Sequence, residues 1–144
     1  FDEEPVSVTG VLDVDPVLQT DRMASAIMNF KNGTASFACS TQLVSYQRVN
    51  IFGTAGRIEI EIPFNAPPLL ATKIWLHTEM GSEEIIFDAV DQYTLQGDIF
   101  SKAIIEDTAV PTDLQDAVNN MLVTDAIFKS DKEGRLITLA KENN

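Results

Sequence analysis

The sequence is poor in most of the residues on which enzymatic chemistry is usually built. Its 144 residues include one histidine (His77), one cysteine (Cys39) and one tryptophan (Trp75). A triad built on His77 would have to recruit its acid and its nucleophile from far along the chain, and no second histidine or cysteine stands at metal-ligand spacing, so no metal site is expected. A single cysteine cannot close an internal disulfide, and the alternating segment around Cys39 reads it as a small buried hydrophobe rather than a nucleophile. Basic residues are also scarce. Ten Lys+Arg against 22 Asp+Glu give a formal charge of −12 with no basic stripe to offset it. That field opposes a phosphate backbone, so nucleic acid is not expected as a partner. No apolar run approaches the roughly 20 residues of a membrane helix, so no membrane span is expected, and no signal-peptide pattern opens the chain. Neither G-x-G-x-x-G nor a P-loop follows a strand anywhere, so a nucleotide cofactor site is not expected within these residues.

What is present is a core. The chain is 44% hydrophobic, enough for a single domain over residues 1–144. It opens at Phe1 without an initiator methionine and enters a strand pattern at Val6, Val8, Gly10, Leu12 and Val14, so it reads as a piece cut from something longer. Alternation over 23–30, the turn Lys31-Asn32-Gly33 and alternation again over 34–43 predict a hairpin, with Ala35, Phe37, Cys39 and Leu43 on one face. Residues 46–52 and 57–62 form a second hairpin around Gly53-Thr54-Ala55-Gly56, whose glycines are expected to supply positive φ. In its second strand Ile58, Ile60 and Ile62 point one way and Arg57, Glu59 and Glu61 the other. A third hairpin joins 73–78 to 83–87 through Met80-Gly81-Ser82.

The period then lengthens. Leu95, Ile99, Phe100, Ala103 and Ile104 predict a helix over 93–106. A second helix starts after Pro111 with Thr112-Asp113-Leu114-Gln115 as a capping box, carries Leu114, Val118, Met121, Leu122 and residues 125–128 as its stripe, and ends near Gly134. A short closing strand is expected within 135–139. Strands first and helices last define an α+β class: an open-faced, mainly antiparallel sheet of about six strands with helices packed on one face. The other face, assigned Ala24, Ala26, Met28, Ser36, Ala38 and Ser40, is then open to a second copy of the chain, giving a homodimer.

Few residues offer chemistry. Glu59 and Glu61 share a strand face about 6.8 Å apart, a separation that paired glycosidase carboxylates use, although Ile-Glu alternation is equally the mark of a half-exposed strand. The loop 63–68 is stiffened by Pro63, Pro67 and Pro68. Phe64 and Trp75 offer apolar faces on which a sugar ring can stack, and Asn65, Tyr93 and Gln96 offer neutral hydrogen bonds suited to hydroxyls. Phe64, Asn65, Tyr93 and Gln96 are the candidate substrate contacts; no catalytic residue is assigned.

These segments, in order, carry a resemblance. The run Met28-Asn29-Phe30-Lys31-Asn32-Gly33-Thr34-Ala35-Ser36-Phe37 comes first, followed by residues 47–60, then Pro63-Phe64-Asn65-Ala66-Pro67. With Asp91-Gln92-Tyr93, Gln96, Phe100, Ala103, Pro111, Asp113, residues 123–130 and Gly134, the set resembles the C-terminal domain of the Gfo/Idh/MocA oxidoreductases over nearly the whole chain. The resemblance implies a substrate-binding and oligomerisation domain of a cytoplasmic dehydrogenase acting on a sugar, polyol or related cyclic alcohol. In that family an N-terminal Rossmann domain binds NAD or NADP. The dinucleotide fingerprint, the Glu-Lys-Pro lysine and the Asp/His pair of the family are missing here, so no cofactor is expected in this fragment and the fragment alone is expected to be inactive. The competing readings are a free-standing ligand-binding or scaffold module that oligomerises through its open sheet, and a glycosidase-like enzyme using Glu59 and Glu61.

Overall fold

The computed structural model describes residues 3–139. Its elements run β1 (Ser7–Val14), β2 (Asp21–Phe30), β3 (Gly33–Ser40), β4 (Val49–Phe52), β5 (Arg57–Ile60), β6 (Thr72–Thr78), β7 (Gly81–Phe87), α1 (Gln92–Glu106), α2 (Leu114–Glu133) and β8 (Ile137–Thr138). The α+β architecture and the antiparallel pairing are as expected. Among the described residues the strands number eight, in two four-stranded sheets ordered β3-β2-β1-β8 and β4-β5-β6-β7. The chain gathers into two compact units, Phe1–Val44 with Thr112–Asn144, and Ser45–Pro111.

The first unit is β1 to β3 with α2 and β8. Its core joins Val8 of β1, Ala26 of β2, Ala126 and Ile127 of α2, and Ile137 of β8, with Leu12, Met28 and Val123 packed around them. Register decides which side chains share this face. Ala26 lies opposite Gly10 and Phe37, Ala24 opposite Leu12 and Cys39, and Met28 opposite Val8 and Ala35. Ala24, Ala26 and Met28 therefore lie on the face that α2 covers, not on the open face to which sequence reading assigned them. Ser36 and Ala38, beside Ile27 and Ser25, keep to the opposite face. The small residues serve the protein's own helix. A Cβ added to Gly10 would lie 2.6 Å from Ile127 Cγ2 and 3.0 Å from the Ile127 carbonyl oxygen, so the missing side chain is what lets α2 approach β1. Cys39 is exposed rather than buried, because β3 is the outer strand of this sheet.

β8 is only two residues long and pairs with Ser7 and Val8 alone. The rest of that edge of β1 is finished by side chains of α2. Ser130, 1% exposed, accepts from the Gly10 N–H at 3.0 Å and donates to the Arg135 carbonyl at 2.7 Å, while Asp131 Oδ1 accepts from the Leu12 N–H at 2.9 Å. Buried polar backbone is thereby satisfied without a longer strand. The inward stripe of α2 is Val123, Ala126, Ile127 and Ser130. Of the expected stripe, Ala126 and Ile127 within 125–128 are buried, whereas Leu114, Val118, Met121 and Leu122 are exposed on the other side of the helix. Its N-cap is Asp113, accepting from the Asp116 N–H at 2.9 Å, in place of the predicted Thr112, and Gly134 closes it at φ 62°.

The second unit is a meander, β4 to β7, followed by α1. Asn50, Glu59, Trp75 and Glu84 line up across one face, as do Arg57, His77 and Ser82, whereas Ile58, Leu76, Ile74 and Ile85 take the other. The predicted alternation in β5 is thus observed. The glycine turn before it works differently from expectation. Gly53 and Gly56 are not among the positive-φ residues; a Cβ on Gly56 would instead stand 2.5 Å from the His77 carbonyl oxygen, so close approach of β6 is what requires glycine there. Positive φ falls on Gly81, at 134°, in the turn from β6 to β7.

α1 begins where Asp91 accepts from the Tyr93 N–H and from the Thr94 hydroxyl, both at 3.0 Å. These bonds, the Thr94 hydroxyl foremost, hold the Asp91 carboxyl below the usual range. Of the predicted stripe only Ala103 is buried, leaving Leu95, Ile99, Phe100 and Ile104 exposed.

Candidate functional site: a glutamine-held loop at the start of α1

β5 ends at Ile60, and the prolines at 63, 67 and 68 have no N–H with which to continue a ladder. The backbone of the intervening loop must find other partners, and it finds two glutamines. Gln47, from the segment leading into β4, accepts from the Phe64 N–H through Oε1 at 3.2 Å and donates through Nε2 to Asn65 Oδ1. Gln92, the first residue of α1, donates from Nε2 to the Phe64 carbonyl at 3.1 Å. Both backbone groups of Phe64 are thus taken by side-chain amides, while the residue remains 69% exposed.

This arrangement brings Phe64 and Asn65 to the N-terminus of α1, where Tyr93 and Gln96 occupy the first two turns, both exposed. Gln96 follows Gln92 by four residues and so shares its side of the helix. A hydrogen bond ties Phe64 to α1 and another ties Asn65 to Gln47; for Tyr93 and Gln96 the connection is position on the helix alone. Trp75, grouped with this loop on sequence grounds, sits in β6 and, among the described residues, has no hydrogen bond to the loop; it donates from Nε1 to Glu61 at 2.9 Å, with Lys73 Nζ 4.9 Å from its ring centroid. Sequence reading missed Gln47 and Gln92. Their signal was present: a neutral amide on each side of a proline-rich loop whose backbone had no ladder to join.

The two glutamates stand in a different setting. Glu59 is held by Arg57 at 2.7 Å and Arg48 at 3.1 Å, with His77 Nε2 at 3.7 Å, and Arg48 also reaches Glu61 at 3.6 Å. The Arg57 hydrogen bond leads the effects that keep the Glu59 carboxyl below its ordinary value. A general acid of glycoside hydrolysis needs the opposite shift, so this network argues against Glu59 in that role. A concavity lined by Phe52, Gly53, Arg57, His77 and Met80 lies at the hairpin ends and does not include the 63–68 loop.

Gly53 and Gly56 connect strand to strand, whereas a pyrophosphate cradle needs a glycine-rich turn from a strand into a helix. These residues do not fit a dinucleotide. Among the described residues no cluster of three His, Cys, Asp or Glu side chains is placed to hold a metal ion. Nor is any described helix long and apolar enough to cross a membrane.

Comparison with known proteins bears on the fold and its kinship. Residues 2–139 match the family model described as the C-terminal alpha/beta domain of the oxidoreductase family Gfo/Idh/MocA. An uncharacterized oxidoreductase of Rhizobium meliloti is 35% identical over 96% of this chain and 43% of its own length. D-xylose 1-dehydrogenase (NADP(+)) 2 of Haloferax volcanii is 26% identical over 83% of the chain and 37% of its own length. Among solved structures, the aldose-aldose oxidoreductase of Caulobacter crescentus complexed with glycerol superposes with a TM-score of 0.76 at 22% identity, covering 95% of this chain and 42% of that one. The chain therefore spans less than half the length of these proteins.

Proposed function

The chain belongs to the Gfo/Idh/MocA oxidoreductase family as its C-terminal alpha/beta domain, and from that premise we propose that residues 1–144 act as one domain forming the substrate wall of an NAD(P)-dependent dehydrogenase. The substrate class is a sugar, polyol or related cyclic alcohol. The observation that carries this reading is the exposed Phe64 ring, held by its backbone at the start of α1. An aromatic face offers stacking to the C–H face of a ring, and Asn65, Tyr93 and Gln96 offer hydroxyl-sized hydrogen bonds around it. The sugar-directed names of the Haloferax and Caulobacter proteins support the substrate class.

Since the Gly53–Gly56 turn joins strand to strand and offers no helix N-terminus to a pyrophosphate, NAD or NADP is assigned to a Rossmann domain elsewhere in the full-length protein. The exposed apolar residues of α1, Leu95, Ile99 and Phe100, are suited to being covered by such a domain. The open face of the first sheet, with Ile27 exposed beside Ser36, is assigned to a homodimer contact. The exposed Cys39 thiol accords with a reducing, cytoplasmic setting.

Expression of the full-length product and assay against a panel of sugars and polyols with NAD and with NADP tests the reading. Turnover in the full-length protein and none in the 144-residue chain is the expected result. Lack of nucleotide binding by the full-length protein would remove the proposal, and a strictly monomeric full-length protein at high concentration would remove its dimer component.

A further inference from the structure

Resting on the assignment of the 63–68 loop to the substrate wall, we infer that Gln47 and Gln92 are positioning residues that set substrate affinity by fixing the direction of the Phe64 ring. Neither glutamine needs to touch the substrate. Phe64 follows a proline and lies beyond the end of β5, so its N–H and C=O have no strand partner. Left to water, both groups would allow the peptide planes on either side to turn, and the Cα–Cβ bond would turn with them. The two carboxamides prevent this, arriving from positions 17 residues before and 28 residues after Phe64 along the chain. One fixes the plane before Phe64 and the other the plane after it. Gln47 also takes Asn65 Oδ1, which orients the neighbouring polar contact in the same stroke.

The chemistry of the two bonds predicts an asymmetry. At position 47 the amide oxygen accepts from a backbone N–H, a role a carboxylate oxygen can fill, and the Asn65 carboxamide can rotate to donate to it. At position 92 the amide nitrogen donates to a carbonyl, and a carboxylate there has no proton to give. Gln47→Glu should therefore retain function while Gln92→Glu should not. A residue needed only for general stability would not separate its variants along this line.

The experiment uses the full-length protein, with steady-state turnover of its preferred sugar or polyol and amide hydrogen exchange at Phe64. Phe64→Ala sets the scale, and Gln47→Ala, Gln92→Ala and Gln92→Glu are each expected to raise KM for the organic substrate roughly tenfold, with kcat and the KM for NAD or NADP within about twofold. Gln47→Glu is expected to stay near the parent. Exchange of the Phe64 amide should quicken about tenfold in Gln47→Ala, an outcome readable even without activity. If Phe64→Ala raises KM but the glutamine variants do not, the inference falls and the substrate-wall reading stands. If Phe64→Ala has no effect on KM, that reading falls and takes the inference with it. Unchanged exchange in Gln47→Ala, or equal loss from Gln47→Glu and Gln47→Ala, overturns the inference on its own.

Discussion

Gly10→Ala is a sensitive test of how the first unit is packed, because a single methyl would enter a gap that does not exist. The new carbon would sit 2.6 Å from Ile127 Cγ2, where carbon atoms prefer about 3.5–4.0 Å, so a relative shift of roughly 1 Å is required. β1 cannot supply that shift cheaply, being paired along its length with β2 and joined to β8 and α2 on the other side. If α2 moves instead, Ala126 and Ile127 lift from Val8 and Ala26. Overpacking of this kind costs about 1–3 kcal/mol. The stiffer unfolded chain offsets about 0.4–1 kcal/mol, leaving a net loss of about 1–2 kcal/mol. With a urea m-value of about 1–3 kcal/mol per molar, the midpoint should fall by roughly 1 M. Repeating the substitution in an Ile127→Ala background removes the closest contact but leaves the carbonyl at 3.0 Å, so the loss should shrink without vanishing. A Gly10→Ala protein as stable as its parent, or a loss unaltered by Ile127→Ala, would refute the packing argument.

Further expectations concern single groups. Ser130→Ala leaves the buried Gly10 N–H unpaired and should destabilise by about 1–3 kcal/mol in the same urea titration, whereas Asp131→Asn keeps an acceptor for Leu12 and should cost under about 1 kcal/mol. Glu59 has a lowered folded-state pKa, so its contribution is fully present above the unfolded carboxylate value and is lost as pH falls through the folded one. Thermal melts between pH 6 and acid should accordingly show a shallower decline in Glu59→Gln than in the parent. Asp107 closes α1 in the left-handed region at φ 51°, and Asp107→Gly is expected to raise stability by about 0.5–1 kcal/mol by the same measurement.

The local structure was legible because its signals are local. Lys31-Asn32-Gly33 marked the first hairpin, the change of period after Asp91 marked α1, and Pro111 and Gly134 bracketed α2. What sequence could not settle was which face of an element another would cover. Ala24 and Ala26 are small whether the approaching surface is foreign or the protein's own helix, and only the register with Gly10 and the position of Ile127 decide between them. In α2, Leu114, Val118 and Met121 form a better apolar stripe than the one actually buried, because Ser130 is chosen for a hydrogen bond and Ala126 for its small size. At the candidate site the aromatic and the asparagine were readable from residue type. The glutamines that hold them were not, since a carboxamide has no periodicity and acts here across long stretches of sequence.

An edge strand with free N–H groups is a template onto which another chain can crystallise, and much of amyloid chemistry begins there. In the first sheet that hazard is closed at one side by Ser130 and Asp131, which occupy the Gly10 and Leu12 N–H groups with side chains that cannot be extended into a further strand. Growth by added strands is thereby directed to the outer edge of β3, since β8 at the other end of that sheet is only two residues long. Loss of Ser130 would then do more than loosen a fold: it would reopen the Gly10 N–H on a finished border, and turbidity on standing would be expected alongside the lowered stability.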